Sequence, residues 1–322
     1  MSLKVAIGVD IGGTLTKVGI VDLEGNMYGQ DEFPTQKDKT FVQFLDELVA
    51  TANRLLEESS ADLEVVGMGV GAPNANYYRG TIEHPANLKW KGILKVNEEL
   101  KKRFDKPVHM TNDANAAAIG EMIYGEAKGM KDFIVITLGT GLGSGVVANG
   151  KLIYGFDSQA AELGHIVIDY NGRWTGLERR GGLEAYVSST GLKRNVFFLL
   201  CDSLKDSVLR DYSYNDLHGE IITKAAEDGD PIAIEAYELT GKYLGQALAN
   251  FTTFTHPEAF FLLGGLAKAG KWIFEPTKKY MDEYLLPFYK DKVKLLPSGM
   301  MNKNAAILGA AALVWDHQNN LG

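Results

Sequence analysis

The chain has 322 residues, 45% of them hydrophobic, with a formal net charge of −8, enough apolar material for one large or two ordinary domains. The acidic balance argues against nucleic acid as a partner: the densest cationic run is Lys101-Lys102-Arg103, which reads as the solvated face of a helix. A single cysteine, Cys201, excludes an intrachain disulfide and a multi-cysteine metal site, and no apolar stretch reaches the ~18 residues a membrane helix needs.

The first strand begins almost at once, with no basic region and apolar core of a signal peptide before it, so the expected location is the cytoplasm. Ile7 to Met27 reads as an apolar strand, a Gly/Thr-rich turn, a second apolar strand and a tight turn at Glu24-Gly25-Asn26. Thr40 to Glu58 carries Phe41, Phe44, Leu45, Leu48, Val49, Ala52, Leu55 and Leu56 at helical spacing behind a Thr N-cap. Val65 to Gly71 and Val108 to Thr111 are short strands, and the alanine-rich Ala114 to Tyr124 is a helix beginning directly after Asn112-Asp113. Ile134 to Leu152 repeats the plan of the first segment: strand, glycine-rich turn, strand, and a turn at Ala148-Asn149-Gly150. Pro231 to Thr253 is a long helix with Pro in its first turn, and Phe260 to Leu263 is a strand that runs into Gly264-Gly265. The last helix, roughly Asn304 to Trp315, is small and apolar, suited to close packing on a sheet. Two strand-turn-strand units far apart suggest two similar domains, although glycine-turn hairpins are common enough to coincide. The fold class is therefore α/β. Residues 1–118 with 304–322 form a smaller N-terminal domain, and residues 119–303 a larger C-terminal one.

Chemistry concentrates at the two glycine turns. In Asp10-Ile11-Gly12-Gly13-Thr14-Leu15-Thr16-Lys17 the glycines let the backbone approach an anion, Thr14 and Thr16 add hydroxyls, Lys17 adds charge, and Asp10 can hold Mg²⁺ through water. For this stretch alone a plain hairpin turn, with Asp10 hydrogen-bonding the loop, is the better account. The second turn, Thr137-Leu138-Gly139-Thr140-Gly141-Leu142-Gly143-Ser144-Gly145, supplies the further cradle that a nucleoside triphosphate needs. No Gly-Lys-Ser/Thr of a Walker loop occurs, and Gly143-x-Gly145-x-x-Ala148 leads into a strand where a dinucleotide fingerprint requires a helix. At the strand-to-helix junction Asp113 fits two roles, a helix cap or a base that takes a proton from an attacking hydroxyl.

These turns, with Phe261-Leu262-Leu263-Gly264-Gly265-Leu266, resemble the phosphate-1, phosphate-2 and adenosine elements of the actin–hexokinase–Hsp70 superfamily. Within it the chain resembles the ROK family of bacterial sugar kinases and repressors from end to end. The resemblance implies a two-domain actin-like ATPase (ribonuclease H-like) fold with its active site in an interdomain cleft. It implies ATP and Mg²⁺ as cofactors, bound by Asp10, Gly12, Gly13, Thr14, Lys17, Thr137, Gly139, Thr140, Gly141, Gly264 and Gly265. It makes Asp113 the catalytic base and Asn112 its neighbour on the sugar. Glu162 and His165 match the family's Glu-x-Gly-His motif, Glu184 the glutamate that closes its zinc loop, and Asn87 its Asn-Leu-x-x-Trp region, all reaching the sugar. Gly69-Val70-Gly71-Ala72-Pro73 matches the loop beneath, with Asn74 where the family has Gly. Trp90 reads as loop packing rather than a sugar platform.

The pattern breaks at Thr175-Gly176-Leu177-Glu178-Arg179-Arg180-Gly181-Gly182, where the family carries three cysteines: Thr175, Leu177 and Gly182 stand in their places. With His165 the one ligand left, no zinc is expected, and packing and the charges of Glu178, Arg179 and Arg180 are expected to hold the loop. The expected activity is phosphorylation of a hexose, glucose at its 6-hydroxyl by default, by a homodimer. The alternatives are another hexose or N-acetylhexosamine, polyphosphate as donor, or a catalytically silent sugar-binding regulator. A repressor would carry a winged helix ahead of the first turn, where nine residues precede Asp10.

Overall fold

The computed structural model describes residues 2–36, 38–85 and 87–319, with Asn319 described through its backbone alone. The chain opens with three strands in an antiparallel meander, β1 (Leu3–Ile11), β2 (Leu15–Asp22) and β3 (Met27–Pro34). Helix α1 (Phe41–Glu58) leads to β4 (Leu63–Gly71), parallel to β1. Three short strands, β5 (Ala75–Asn76), β6 (Thr81–Glu83) and β7 (Ile93–Leu94), form a small sheet of their own. Helix α2 (Val96–Leu100), strand β8 (Val108–Thr111) and helix α3 (Asp113–Tyr124) follow. The second series runs β9 (Phe133–Leu138), β10 (Leu142–Ala148), β11 (Lys151–Leu152), α4 (Ser189–Asp202), α5 (Gly219–Glu227), α6 (Pro231–Thr255), β12 (Ala259–Leu263), α7 (Lys271–Tyr284) and β13 (Lys294–Pro297). The last helix is α8 (Ala305–Asn319).

The repeat seen in the sequence is a repeat of topology. One sheet has the order β3-β2-β1-β4-β8 and the other β11-β10-β9-β12-β13. In both, the first strand of a glycine-turn hairpin is central, and two later strands add to it in parallel. The chain divides into two compact units. One holds the described residues up to Met130, Leu152–Ala161 and the chain from Asn302 on; the other holds Lys131–Lys151 and Glu162–Met301.

In the first unit, one sheet face carries Ile7, Val9, Val18 and Ile20 into a core with Phe44, Leu45, Leu48 and Leu55 of α1. A capping box starts that helix: Thr40 accepts from Gln43 N–H while the Gln43 side chain accepts from Thr40 N–H. Such a cap contributes about 1 kcal/mol. The other sheet face carries glycine because α8 lies directly on it. A Cβ on Gly69 would fall 1.8 Å from Ala310 O, and one on Gly8 2.3 Å from Ile307 O. The small last helix therefore packs on a sheet as its composition suggested. Lys101–Arg103, read as helix, lies in a turn past α2, where Arg103 reaches Asp46 at 2.6 Å and Glu99 at 3.1 Å.

In the second unit α6 is the central helix. Asp230 caps it by accepting from Ile232 and Ala233 N–H, Pro231 takes the first helical position, and Gly241 and Gly245 admit α7 at backbone distance. Among the described residues no helix is long and apolar enough to cross a membrane.

Candidate functional site

The expected site residues fall into two groups, one in each unit. In the first unit the sheet register sets Glu32, Lys17, Asp10, Gly71 and Thr111 in one row across the strands. Asp10 thus ends β1 beside Lys17. The α-carbon of Asp113 lies 3.9 Å from where a Gly71 Cβ would be, so α3 starts over the end of β4. Burial, then the nearby Asp113 carboxylate, pushes the Asp10 carboxyl up to about 6, with Lys17 pulling the other way. A largely desolvated carboxylate with a second one near it is a hard-oxygen donor set short of positive charge, which fits a divalent cation.

The first glycine turn is held from behind. Thr35 Oγ1 donates to Gly12 O at 2.8 Å, Thr35 N–H to Thr14 O at 2.9 Å, and Gln36 Nε2 to Gly13 O. Gln36 Nε2 also reaches Asn87 O at 2.8 Å, which sets the Asn87 loop against Gly13. Thr14 is exposed at the turn tip, as a phosphate donor must be. Thr16, expected to offer its hydroxyl to a ligand, does not: it is fully buried and shares a hydrogen bond with Thr35 at 2.9 Å. Strand alternation puts it on the core face, one residue away from Lys17. Thr35 and Gln36 had no local signal in the sequence. Trp90 packs on Phe41 and Phe44 at ring distances of 5.5 and 4.9 Å and donates to Lys39 O.

The junction at α3 separates the two roles open to Asp113. The cap is Asn112, whose Oδ1 accepts from Asn115 N–H at 2.7 Å. Asp113 is the first helical residue, exposed, with Oδ1 accepting from Ala114 N–H at 2.9 Å. Its carboxylate thus satisfies one first-turn amide, stays exposed, and stands at the positive end of a twelve-residue helix. Asn74 has φ 55°, a left-handed conformation that Asn tolerates better than most side chains, which explains why it can stand where the family has Gly.

In the second unit the turn after β9 closes with Gly139 N–H donating to Gly141 O at 3.0 Å, leaving Gly139 and Thr140 exposed. Thr137 is half-buried at the strand end. Ser189 N–H, at the start of α4, donates to Gly139 O at 2.8 Å. Leu142 N–H donates to Glu184 Oε2 at 2.9 Å. Glu162 precedes and His165 ends the 3₁₀ turn Leu163–His165, with Glu162 Oε2 and His165 Nε2 3.8 Å apart, and Leu163 N–H donates to Ser144 Oγ at 3.2 Å. Gly264 has φ 108°, and a Cβ there would fall 2.5 Å from Leu138 O, so β12 ends tight against the second turn. Gly265 opens onto a pocket of about 580 Å³ lined in part by Ser189, Leu192, His218, Thr223 and Leu266. None of the α4 and α5 residues of this pocket was expected from sequence.

The cysteine-free loop is held by neutral hydrogen bonds and stacking more than by its charges. Thr175 Oγ1 accepts from Leu177 and Arg179 N–H, and Thr175 N–H donates to Arg179 O at 2.7 Å. The Thr175 methyl fills the space beside Gly182, 2.9 Å from where a Cβ would be. Arg180 stacks on Trp174 at 4.5 Å, and Glu178, Arg179 and Arg180 are all exposed. Behind the loop, Arg173 lies over Tyr186 and donates to Asn195 at 2.6 Å. No group of three or more His, Cys, Asp or Glu suited to a metal ion occurs among the described residues, so the residues present do not fit the family's zinc.

A glycine-rich turn in each of two topologically matched sheets, with an exposed carboxylate at a helix start, defines a member of the actin-like ATPase fold. The ROK family model matches residues 6–317, and the chain belongs to the ROK family. It is 32% identical over 328 residues to a glucokinase of Halalkalibacterium halodurans, covering 100% of this chain and 98% of that one. The structure of a ROK family glucokinase from Streptomyces griseus in complex with glucose and AMPPNP matches with a TM-score of 0.79 at 31% identity, over 96% of this chain and 98% of that one. The xylose repressor of Bacillus subtilis is 26% identical over 313 residues, 97% of this chain and 77% of the repressor.

Proposed function

We propose that the chain is an ATP-dependent hexose kinase that transfers the γ-phosphoryl group to the 6-hydroxyl of glucose. The observation that carries the reading is the division of labour at α3: Asn112 caps the helix, so Asp113 presents an exposed carboxylate to a substrate. Full-length similarity to glucokinases supports it. In this reading the hydroxyl oxygen attacks phosphorus, the bond to the β–γ bridging oxygen breaks, the proton passes to Asp113, and sugar phosphate and ADP leave. The transition state is loose, so positioning and charge matter more than a strong base.

The backbone N–H groups of the two turns, with Thr14, Thr140 and Lys17, bind the phosphates. The nucleoside takes the pocket at Gly265. Asp10 and its neighbours would hold Mg²⁺, which neutralises charge on the phosphate oxygens when bound. Asn87, Glu162, His165 and Glu184 bind sugar hydroxyls.

The test is ATP-dependent phosphorylation across a panel of hexoses and N-acetylhexosamines, for wild type and Asp113→Asn. Activity on glucose that falls about 10²–10⁴-fold in the variant, with glucose binding retained, is the expected result. Binding without turnover on every sugar would favour a sugar-binding regulator instead, the reading that the repressor relatives support.

A further inference from the structure

Glu184 has two carboxylate oxygens, and one is already committed. Oε2 accepts from Leu142 N–H at 2.9 Å and lies 2.4 Å from where a Gly141 Cβ would stand, so the carboxylate is seated on the second glycine turn. The same turn is gripped at Gly139 O by Ser189 N–H at 2.8 Å. Those two grips share one short segment: Ser188 Oγ donates to Glu184 O at 2.9 Å and accepts from Gly191 N–H, which fixes the start of α4 relative to Glu184. Leu183 N–H donates to Ile166 O at 3.0 Å, and a Cβ on Gly164 would fall 2.5 Å from Leu142 O. The turn bearing Glu162 and His165 therefore packs on the same residue that Glu184 holds.

From this we propose that Glu184 is a positioning residue for the phosphate-binding turn: its Oε2 fixes the Leu142 amide and with it the directions of the N–H groups of Thr140 and Gly141, the Gly139 N–H being closed onto Gly141 O. This deepens the kinase reading and rests on it for the identity of the ligand. A turn whose N–H groups are pre-aimed at phosphate loses less freedom on binding than one that must order. A charge-assisted hydrogen bond to a backbone amide is among the stronger ways to aim it.

The test compares Glu184→Gln, which keeps an acceptor for Leu142 N–H, with Glu184→Ala, which removes it. Two readouts are taken: amide hydrogen exchange of a peptide spanning the second turn, and AMP-PNP affinity without sugar. In Glu184→Ala, faster exchange at the turn with unchanged exchange in β1, and AMP-PNP binding about tenfold weaker, are expected. Glu184→Gln should keep both close to wild type. Exchange at the turn unchanged in Glu184→Ala would overturn the proposal whether or not nucleotide binds. A kinase reading in error would show instead as wild-type protein that binds no AMP-PNP while the exchange difference persists. A residue that served the sugar alone would move neither readout.

Discussion

Replacing Asp10 by asparagine should make the protein more stable and far less active. In the folded chain the Asp10 carboxyl titrates at about 6 instead of 3.8, mainly from burial and next from the Asp113 carboxylate. The native state therefore binds this proton more tightly than the unfolded state. The cost is absent well below pH 3.8, grows as pH rises through the interval from 3.8 to about 6, and is constant above it. A shift of that size is worth ~3 kcal/mol at pH 7.5 and ~0.5 kcal/mol at pH 4. The Lys17 attraction, lost in the variant, is already counted within the net shift. The amide of Asp10→Asn keeps the volume without the charge, so urea unfolding at pH 7.5 should show a gain approaching ~3 kcal/mol that shrinks toward zero at pH 4. Added Mg²⁺ should raise the stability of wild type but not of the variant, and phosphorylation should drop steeply. A gain equal at both pH values, or none at pH 7.5, would refute the electrostatic account of Asp10.

Two more substitutions probe the frame around the site. Gly69→Ala places a methyl 1.8 Å from Ala310 O, a backbone atom that cannot swing aside, and should cost about 3 kcal/mol or more in chemical denaturation. Gly176→Ala meets nothing within 4 Å and serves as a near-neutral control. Thr175→Ala removes the acceptor for two loop amides and should cost about 1 kcal/mol. In Mg²⁺-free buffer a chelator should leave the wild-type Tm unchanged and metal analysis should find no zinc; stoichiometric zinc would overturn the account of this loop.

The sequence makes its strongest statements where one residue suffices. Thr40 with an apolar stripe marks α1, Asp230-Pro231 marks the start of α6, and the two glycine turns announce themselves by composition. What stays hidden depends on partners distant in the chain. Thr35 is an ordinary residue until its hydroxyl lies 2.8 Å from Gly12 O, and Ser189 until its amide meets Gly139 O. The glycines of β1 and β4 read as weak strand positions; only the arrival of α8, more than 200 residues later, shows why no side chain fits. At Asn112-Asp113 local preference could not tell which residue caps the helix, because both cap well; the hydrogen bond from Asn115 N–H shows that it is Asn112.

The two sheets share an order, but their turns handle charge in opposite ways. The first pairs Ile11 with Thr16 around four residues and flanks them with Asp10 and Lys17. The second pairs Leu138 with Leu142 around three, and Thr137 to Gly145 contains no ionisable side chain at all. A turn without charged side chains can hold an anion only through aimed amides and hydroxyls, and amides in a glycine-rich segment do not aim themselves. The carboxylate of Glu184, brought in from 42 residues away, does for the second turn what Thr35 and Gln36 do for the first. The two hairpins share a backbone plan, but the means of stiffening each turn are separate, and those of the second are scattered further along the chain.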